Sequence, residues 1–326
     1  MLNNNLTVSS APHIRSGMTT QKIMYIVICS LLPAGLAGVY IFGLSSLKVI
    51  FISIIACVIS EVIFLALRSK DPKTVLDGSA ILTGLLLAYN LPPGVPFWIP
   101  AVGGVVSIML GKQIFGGLGH NIFNPALVGR AFLQISWPVY MTTWKNPRWA
   151  LDAVSTATPL AREGAKSFTY MDLFLGNHGG CIGEVCVLLL LAGAAILLFK
   201  KIISFHIPAS FIGTVMLLVW IFGGNEFFQG DFLFHLLAGG LVLGAFFMAT
   251  DYVTRPLTKK GKIIFGIGCG VLTVVIRLKG SYPEGVSYAI LFMNAVVPLI
   301  DRYTKTKVYG TQTGKASSKI PRCRSG

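Results

Sequence analysis

Residues 23–43 read IMYIVICSLLPAGLAGVYIFG, and residues 49–67 read VIFISIIACVISEVIFLAL. The only charged residue in either run is Glu61. A helix rises about 1.5 Å per residue, so each run is long enough to cross the roughly 30 Å hydrocarbon layer of a bilayer. Working outward, the same apolar texture returns along most of the chain. Of the 326 residues, 54% are hydrophobic and 12% are charged; a soluble domain carries about a quarter charged. Repeated runs of this length decide against an unusually apolar soluble core, and the sequence predicts an all-α polytopic membrane protein. The residues before the first run are polar, and no small-residue cleavage site follows a short apolar stretch. The first run is therefore read as a retained span and not as a signal peptide.

Eight further apolar segments follow, giving about ten transmembrane helices, some short or broken. They lie at about 76–91, 96–110, 122–137, 182–199, 207–222, 232–250, 263–276 and 286–300. The third carries Asp77, Ser79, Thr83 and Gly84, and the fifth carries Asn124-Pro125 and Arg130. The chain divides into an N-terminal segment (1–22), a first membrane repeat (23–137), a long polar loop (138–181), a second repeat (182–302) and a basic tail expected to be flexible (303–326).

The formal net charge is +15. On a soluble chain this would suggest nucleic acid, but here the positive residues sit in short clusters between spans, which excludes that reading. Arg15, Lys22, Arg68, Lys70, Lys73, Lys112, Lys200, Lys201, Arg255, Lys259, Lys260, Lys262, Arg302, Lys305 and Lys307 all fall on one side of a ten-span chain. By the positive-inside rule both termini are cytoplasmic and the 138–181 loop is extracytoplasmic.

Two related halves are expected. Phe123-Asn124-Pro125 in the fifth span answers Met293-Asn294-Ala295 in the tenth, and Asp77 in the third answers Asp251 in the eighth. Five spans per half is odd, so the repeats must be inverted, as in many transporter-like folds with short, interrupted helices.

The sharpest chemical signal lies in the long loop: Asp152-Ala153-Val154-Ser155-Thr156-Ala157-Thr158-Pro159-Leu160. Taken alone, Ser and Thr before a proline form a turn or cap a helix. The pattern Asp-x-x-Ser-x-Ala-Thr, however, resembles the flavinylation motif of the membrane subunits of the Rnf and Nqr respiratory complexes. The resemblance extends to Gly117-Leu118-Gly119-His120-Asn121-Ile122-Phe123-Asn124-Pro125-Ala126-Leu127-Val128-Gly129-Arg130, to Leu82-Thr83-Gly84-Leu85 with Asn90-Leu91-Pro92-Pro93, and to Met248-Ala249-Thr250-Asp251. It covers nearly the whole chain, and length and span count suit the RnfD member of the family, the counterpart of NqrB.

The resemblance implies FMN joined through its phosphate to the hydroxyl of Thr158 by a separate Mg-dependent flavin transferase. Asp152 stands at the acidic position and Ala157 is the small neighbour. Ser155 and Thr156 are the next hydroxyls, Thr156 replacing a frequent glycine. The resemblance also implies a bacterial inner-membrane complex that passes electrons between ferredoxin and NAD and moves Na⁺ or H⁺. The partners would be the A, B, C, E and G members of the Rnf complex, including the iron–sulfur and other flavin subunits. The Nqr counterpart also holds a noncovalent riboflavin, which adds a second candidate cofactor. A solute or ion channel of the inverted-repeat type, or a cofactor-free scaffold, stands as the competing class.

Polar residues inside spans supply the remaining candidates, because they are expensive there. Asp77 and Asp251 are candidates for an ion path. Asn121 and Asn124 are candidates for flavin or broken-helix contacts, as is Asn294, and Arg130 for a flavin phosphate. The plainer reading of each is interhelical hydrogen bonding. Glu61 is expected to snorkel toward Arg68. Gly266-x-Gly268-x-Gly270 lies within an apolar span and predicts close helix packing, not a nucleotide loop. His178 is read as turn chemistry. The six scattered cysteines are small apolar fillers, and no ligand pattern for an iron–sulfur centre occurs in the chain.

Overall fold

The computed structural model describes residues 17–69, 72–148, 160, 169–224, 226–280 and 285–305. Asp152, Ser155, Ala157 and Thr158 lie outside the described residues. The described chain is helical throughout, without an extended strand.

Helix α1 (Thr20–Phe42) starts where the Thr19 hydroxyl accepts from the Lys22 amide at 3.3 Å. It runs through Pro33 and ends at Gly43, whose φ of 83° lets α2 (Leu44–Leu67) begin at once. Three helices, α1, α2 and α12 (Lys259–Lys279), are long and apolar enough to cross a membrane. Helix α2 is inside out by the standard of a soluble protein. Phe51, Ile55 and Ile59 are 56%, 52% and 52% exposed, whereas Ser46, Ser53, Ser60 and Glu61 are buried. Apolar side chains facing out and small polar ones facing in is the pattern of a helix solvated by lipid. The chain is a membrane protein of several apolar helices.

Most of the remaining apolar segments form helices shorter than their sequence runs, for local reasons. After a 3₁₀ turn (Pro72–Asp77), α3 (Ser79–Tyr89) begins only at Ser79, because Asp77 Oδ1 accepts from the Ser79 amide at 2.7 Å. It stops before Pro92-Pro93, which offer no amide to continue it. Helix α4 (Trp98–Ile108) passes into a π turn, Met109–Gln113, and α5 (Pro125–Ser136) starts on an Asn124 cap. The long loop contains α6 (Pro138–Thr142) and α7 (Tyr170–Leu175).

The sixth apolar run turns helical only at α8 (Val187–Phe199). Residues 181–186 instead lie against the break after α3: Ile182 N donates to Leu91 O at 3.1 Å, and Gly183 N to Tyr89 O at 3.0 Å. Irregular backbone is tolerated at membrane depth when protein buries it and pairs its polar groups. Helix α9 (His206–Phe222) is continuous. The eighth run breaks into α10 (Phe232–Leu237), α11 (Leu241–Leu243) and a π turn, Gly244–Met248. Helices α12 and α13 (Val286–Tyr303) complete the bundle.

The packing order recurs. Helix α2 packs on α3 and α4, and α4 on α5; α9 packs on α10 and α12, and α12 on α13. The two sets meet along α1 with α8 and α5 with α13. Gly266 and Gly270 fit the predicted close packing: Cβ atoms there would run into Ser210 and Thr214 of α9. The start of α1 and the end of α13 share one end of the bundle. Met24 and Asp251 border one cavity there, and the Thr258 hydroxyl donates to that of Thr304 at 2.9 Å. At the opposite end Arg148 N donates to Ile41 O at 3.0 Å, and α7 packs on α8 and α10.

Candidate functional site

Two polar centres lie between the helix sets. The first is a cavity near the end that holds the start of α1. Ser79, Thr83, Lys112, Asn121, Asn124 and Asp251 supply its polar wall, with Met24 and Phe247 among the apolar residues. Asn124 is held from both directions. Its Oδ1 accepts from the Ala126 amide at 3.1 Å, capping α5, and its Nδ2 donates to Met248 O at 3.3 Å in the other helix set. With its amide oriented to satisfy both neighbours, Asn294 accepts from the Asn124 amide at 3.2 Å and donates to Thr254 O at 3.3 Å. The two asparagines matched by sequence therefore touch at the junction. Asn121 Nδ2 donates to Phe123 O at 3.1 Å, and the Thr254 hydroxyl donates to Asp251 Oδ2 at 3.3 Å.

Behind this wall lies a buried ion pair. Lys112 Nζ, on the π turn, donates to Glu61 Oε1 at 2.5 Å and to Ser79 Oγ at 2.6 Å. Gln113 Nε2 donates to the same Glu61 oxygen at 3.1 Å, and the Ser79 hydroxyl donates to Asp77 Oδ1 at 2.5 Å. Lys112 is 2% exposed and Glu61 3%. This corrects the expectation that Glu61 snorkels toward Arg68. Glu61 lies on the inner stripe of α2, and Lys112 meets it inside the bundle. It also recasts Asp77, whose carboxylate caps α3 and steadies Ser79 and does not line the cavity.

The second centre lies where the broken segments meet, toward the α7 end. Arg130 does not border the cavity; it is buried, and its Nη1 donates to Asn90 Oδ1 at 2.5 Å. Asn90 Nδ2 donates to Leu86 O at 2.7 Å and approaches Met248 Sδ at 3.6 Å. Cys181 Sγ donates to Asn90 O at 3.3 Å, so this cysteine is a hydrogen-bonding filler. Glu184 is buried with Oε1 accepting from the Cys181 amide at 2.9 Å, and the charges of Arg130 and Arg277 act on its carboxylate. Arg277 of α12 donates from Nη1 to His235 O at 2.6 Å and from Nη2 to Ala238 O at 3.2 Å. His178 is buried, on a bend in the irregular stretch between α7 and α8.

Leu160, the one described residue between 149 and 168, packs against the buried cluster of Leu173 of α7 with Phe234 and Ala238 of α10 and the break after it, as does Leu237. That break turns on Gly239, whose φ is 72°. A Cβ there would come within 2.7 Å of Leu160 Cδ1 and 3.2 Å of Arg277 Nη2.

Asn121, Asn124 and Asp251 thus converge, Asp77 stands behind them, and Arg130 belongs to the second centre. The sequence does not mark Lys112, Glu184 and Arg277 as site residues, because each sits at the edge of an apolar run, where a charge also serves topology. The available signal was three unmatched charges in runs that otherwise exclude them.

The model of the NQR2, RnfD, RnfE family matches residues 7–310. The chain is 50% identical over 323 residues to the D component of the proton-translocating ferredoxin:NAD(+) oxidoreductase complex of Clostridium ljungdahlii, covering 95% of this chain and 97% of that protein. It is 48% identical over 321 residues to the D component of the Na(+)-translocating ferredoxin:NAD(+) oxidoreductase complex of Acetobacterium woodii, covering 97% and 98%. It is 39% identical over 334 residues to the D component of the ion-translocating oxidoreductase complex of Stutzerimonas stutzeri, covering 91% and 93%.

Proposed function

The chain belongs to the NQR2, RnfD, RnfE family, and from that premise we propose that it is the RnfD-type membrane component of an ion-translocating ferredoxin:NAD oxidoreductase and carries FMN on Thr158. The observation that carries the RnfD reading is near-half identity, over almost the full length of both chains, with two D components of such complexes. The chain has no nicotinamide fingerprint and no iron–sulfur ligand pattern, so ferredoxin and NAD meet the A, B, C, E and G members of the complex, and this chain is a non-autonomous part of the enzyme.

The covalent flavin is supported by Asp152-x-x-Ser155-x-Ala157-Thr158 in the loop between the two helix sets. A small-residue segment with a hydroxyl nucleophile suits entry into the active site of a flavin transferase. FMN supplies one- and two-electron redox chemistry; the chain supplies its place in the membrane. In this reading the loop is extracytoplasmic, both termini are cytoplasmic, and the two helix sets are inverted repeats.

The cavity supports an ion path through this chain. Asp251 presents a half-buried carboxylate to it, while Lys112 holds a cation at the same wall, compensated by Glu61. Asn121 Oδ1 is buried there without a hydrogen-bond partner among the described residues, and it is suited to a cation or to the edge of a bound riboflavin.

The test is in-gel fluorescence of the denatured chain, made with a flavin transferase, followed by mass spectrometry of the Thr158 peptide. The expected result is a fluorescent band with an FMN phosphoester on Thr158. Thr158→Ala removes the fluorescence and leaves the chain in the membrane. Flavin retained by Thr158→Ala overturns the site, and a dark wild-type band moves the assignment to a cofactor-free channel or scaffold.

A further inference from the structure

One face of α13 is left uncovered by the rest of the bundle. Tyr288, Leu291, Ala295, Pro298, Arg302 and Lys305 follow one another at alternating spacings of three and four, which aligns them along the helix and just past its end. The last four are exposed. Two kinds of hollow open along this face. Deep in the bundle's side, a groove of about 490 Å³ is walled by Phe123 and by Leu272 and Ile276 of α12, opposite Tyr288, Leu291 and Ala295. A second apolar hollow, of about 320 Å³, meets it at Phe123 and Leu291. At the terminal end, a pocket of about 540 Å³ is lined by Pro298, Asp301, Arg302 and Lys305, with Leu257 and Thr258 from the start of α12. The Asp301 carboxylate there is engaged, its Oδ1 accepting from the Leu257 amide at 3.1 Å. The side chains of Arg302 and Lys305 make no hydrogen bond or ion pair among the described residues. Lys259 and Lys260 stand exposed just beyond Thr258, and Leu257 at the pocket's edge is 81% exposed. The face thus offers cations at one end and hydrocarbon along the rest. From Tyr288 to Arg302 the helix rises about 21 Å. One leaflet of a bilayer spans about 15 Å of hydrocarbon and several ångströms more of headgroup. A free phosphate would match the basic end alone, and an apolar helix of another protein would match the grooves alone.

We propose that this face of α13 is a binding site for an anionic phospholipid. Arg302 and Lys305 receive the phosphate, as basic pockets between membrane helices do, and the two apolar hollows that meet at Phe123 receive the acyl chains. The same helix holds Asn294 at the junction of the two helix sets, so the lipid braces that junction from outside.

The test mixes the full chain in dodecyl maltoside with dioleoyl phosphatidylglycerol or dioleoyl phosphatidylcholine and counts retained lipid by native mass spectrometry. Wild type should retain severalfold more phosphatidylglycerol. Arg302→Gln with Lys305→Gln should abolish that preference. Lys200→Gln with Lys201→Gln, an equal loss of charge at the same end of the proposed topology but outside the pocket, should leave it in place. A wild type without preference, or a preference lost equally in both double variants, overturns the site. Sodium phosphate should displace no more lipid than sodium chloride of equal ionic strength; specific displacement by phosphate makes the pocket a free-anion site and overturns the lipid. The groove is read separately, with Phe292→p-benzoylphenylalanine irradiated in membranes that contain the whole complex, since Phe292 lines the deeper hollow. A lipid-sized mass gain on this chain is the expected product. A crosslink to another protein chain overturns the lipid as the groove's occupant.

Discussion

At the scale of single residues, the Lys112–Glu61 pair sets the sharpest expectation. Both side chains are almost fully buried, and the 2.5 Å contact is extended by Ser79 and Gln113. Removing one partner of such a pair strands the other charge and destabilises by about 3–5 kcal/mol, whereas replacing both with apolar groups is often neutral. Lys112→Met should therefore lower the thermal midpoint of the detergent-solubilised chain strongly, and adding Glu61→Leu should recover most of the loss. A double variant as unstable as the single one would show that the π turn itself, not the charge balance, had been damaged. Asn124 is the second case. Asn124→Ala loses an N-cap that contributes about 1 kcal/mol together with the donation to Met248 O, while Asn124→Asp keeps the cap and loses only the donor. The same measurement should rank wild type above Asp above Ala. Asn124 and Asp251 were legible in the sequence because a polar group inside an apolar run is conspicuous. Glu61 was visible but mispaired, since its partner is remote in sequence and sits on a π turn that no local pattern marks.

At the scale of elements, the long runs at 23–43 and 49–67 each became one continuous helix, α1 (Thr20–Phe42) and α2 (Leu44–Leu67), with the ends read closely and the starts read late, because continuous apolar helices need only length. The broken ones were not. In the sixth run 181–186 stays irregular, a turn and a bend, because its amides meet the carbonyls of Tyr89 and Leu91, a pairing between segments about ninety residues apart. In the eighth, Gly239 takes a positive φ and splits the helix that composition alone would continue. Helix α7 is a short element with a local cause. The Thr169 and Asp172 side chains cap it reciprocally, and hydrogen bonds from Thr169 hold the exposed Asp172 carboxyl below its usual value of 3.8. A depressed carboxylate stabilises the fold above the unfolded value and loses that contribution as pH falls through the folded one. Helix α7 should thus be intact at neutral pH and fray below the usual carboxylate range. The amides of Gly176 and Asn177, which both donate to Asp172 O at 2.8 Å, report this by faster hydrogen exchange. Asp172→Ala should reproduce the fraying at neutral pH; unchanged exchange would mean that the packing of Leu173 alone holds the helix.

At the scale of the whole molecule, the packing makes an argument about sidedness that charge counting makes independently. The start of α1 and the end of α13 share one end of the bundle, tied through Met24, Asp251, Thr258 and Thr304, while Arg148, Leu160 and α7 gather at the other. A chain that enters and leaves at the same end crosses an even number of times. A loop placed halfway, at the opposite end, requires an odd number of crossings on each side of it, as five per half provides. The positive clusters then choose which end faces the cytoplasm, since Lys200, Lys201, Lys259 and Lys260 all belong to the terminal end in this scheme. Reporter fusions check it directly. Alkaline phosphatase joined after Thr142 should be active, because the loop reaches the oxidising side, and a fluorescent protein joined after Lys305 should fold and fluoresce in the cytoplasm. The reversed pattern would place the 138–181 loop on the cytoplasmic side. It would overturn the proposed orientation, in which the terminal end of the bundle, where Met24 and Asp251 border the cavity, is the cytoplasmic one.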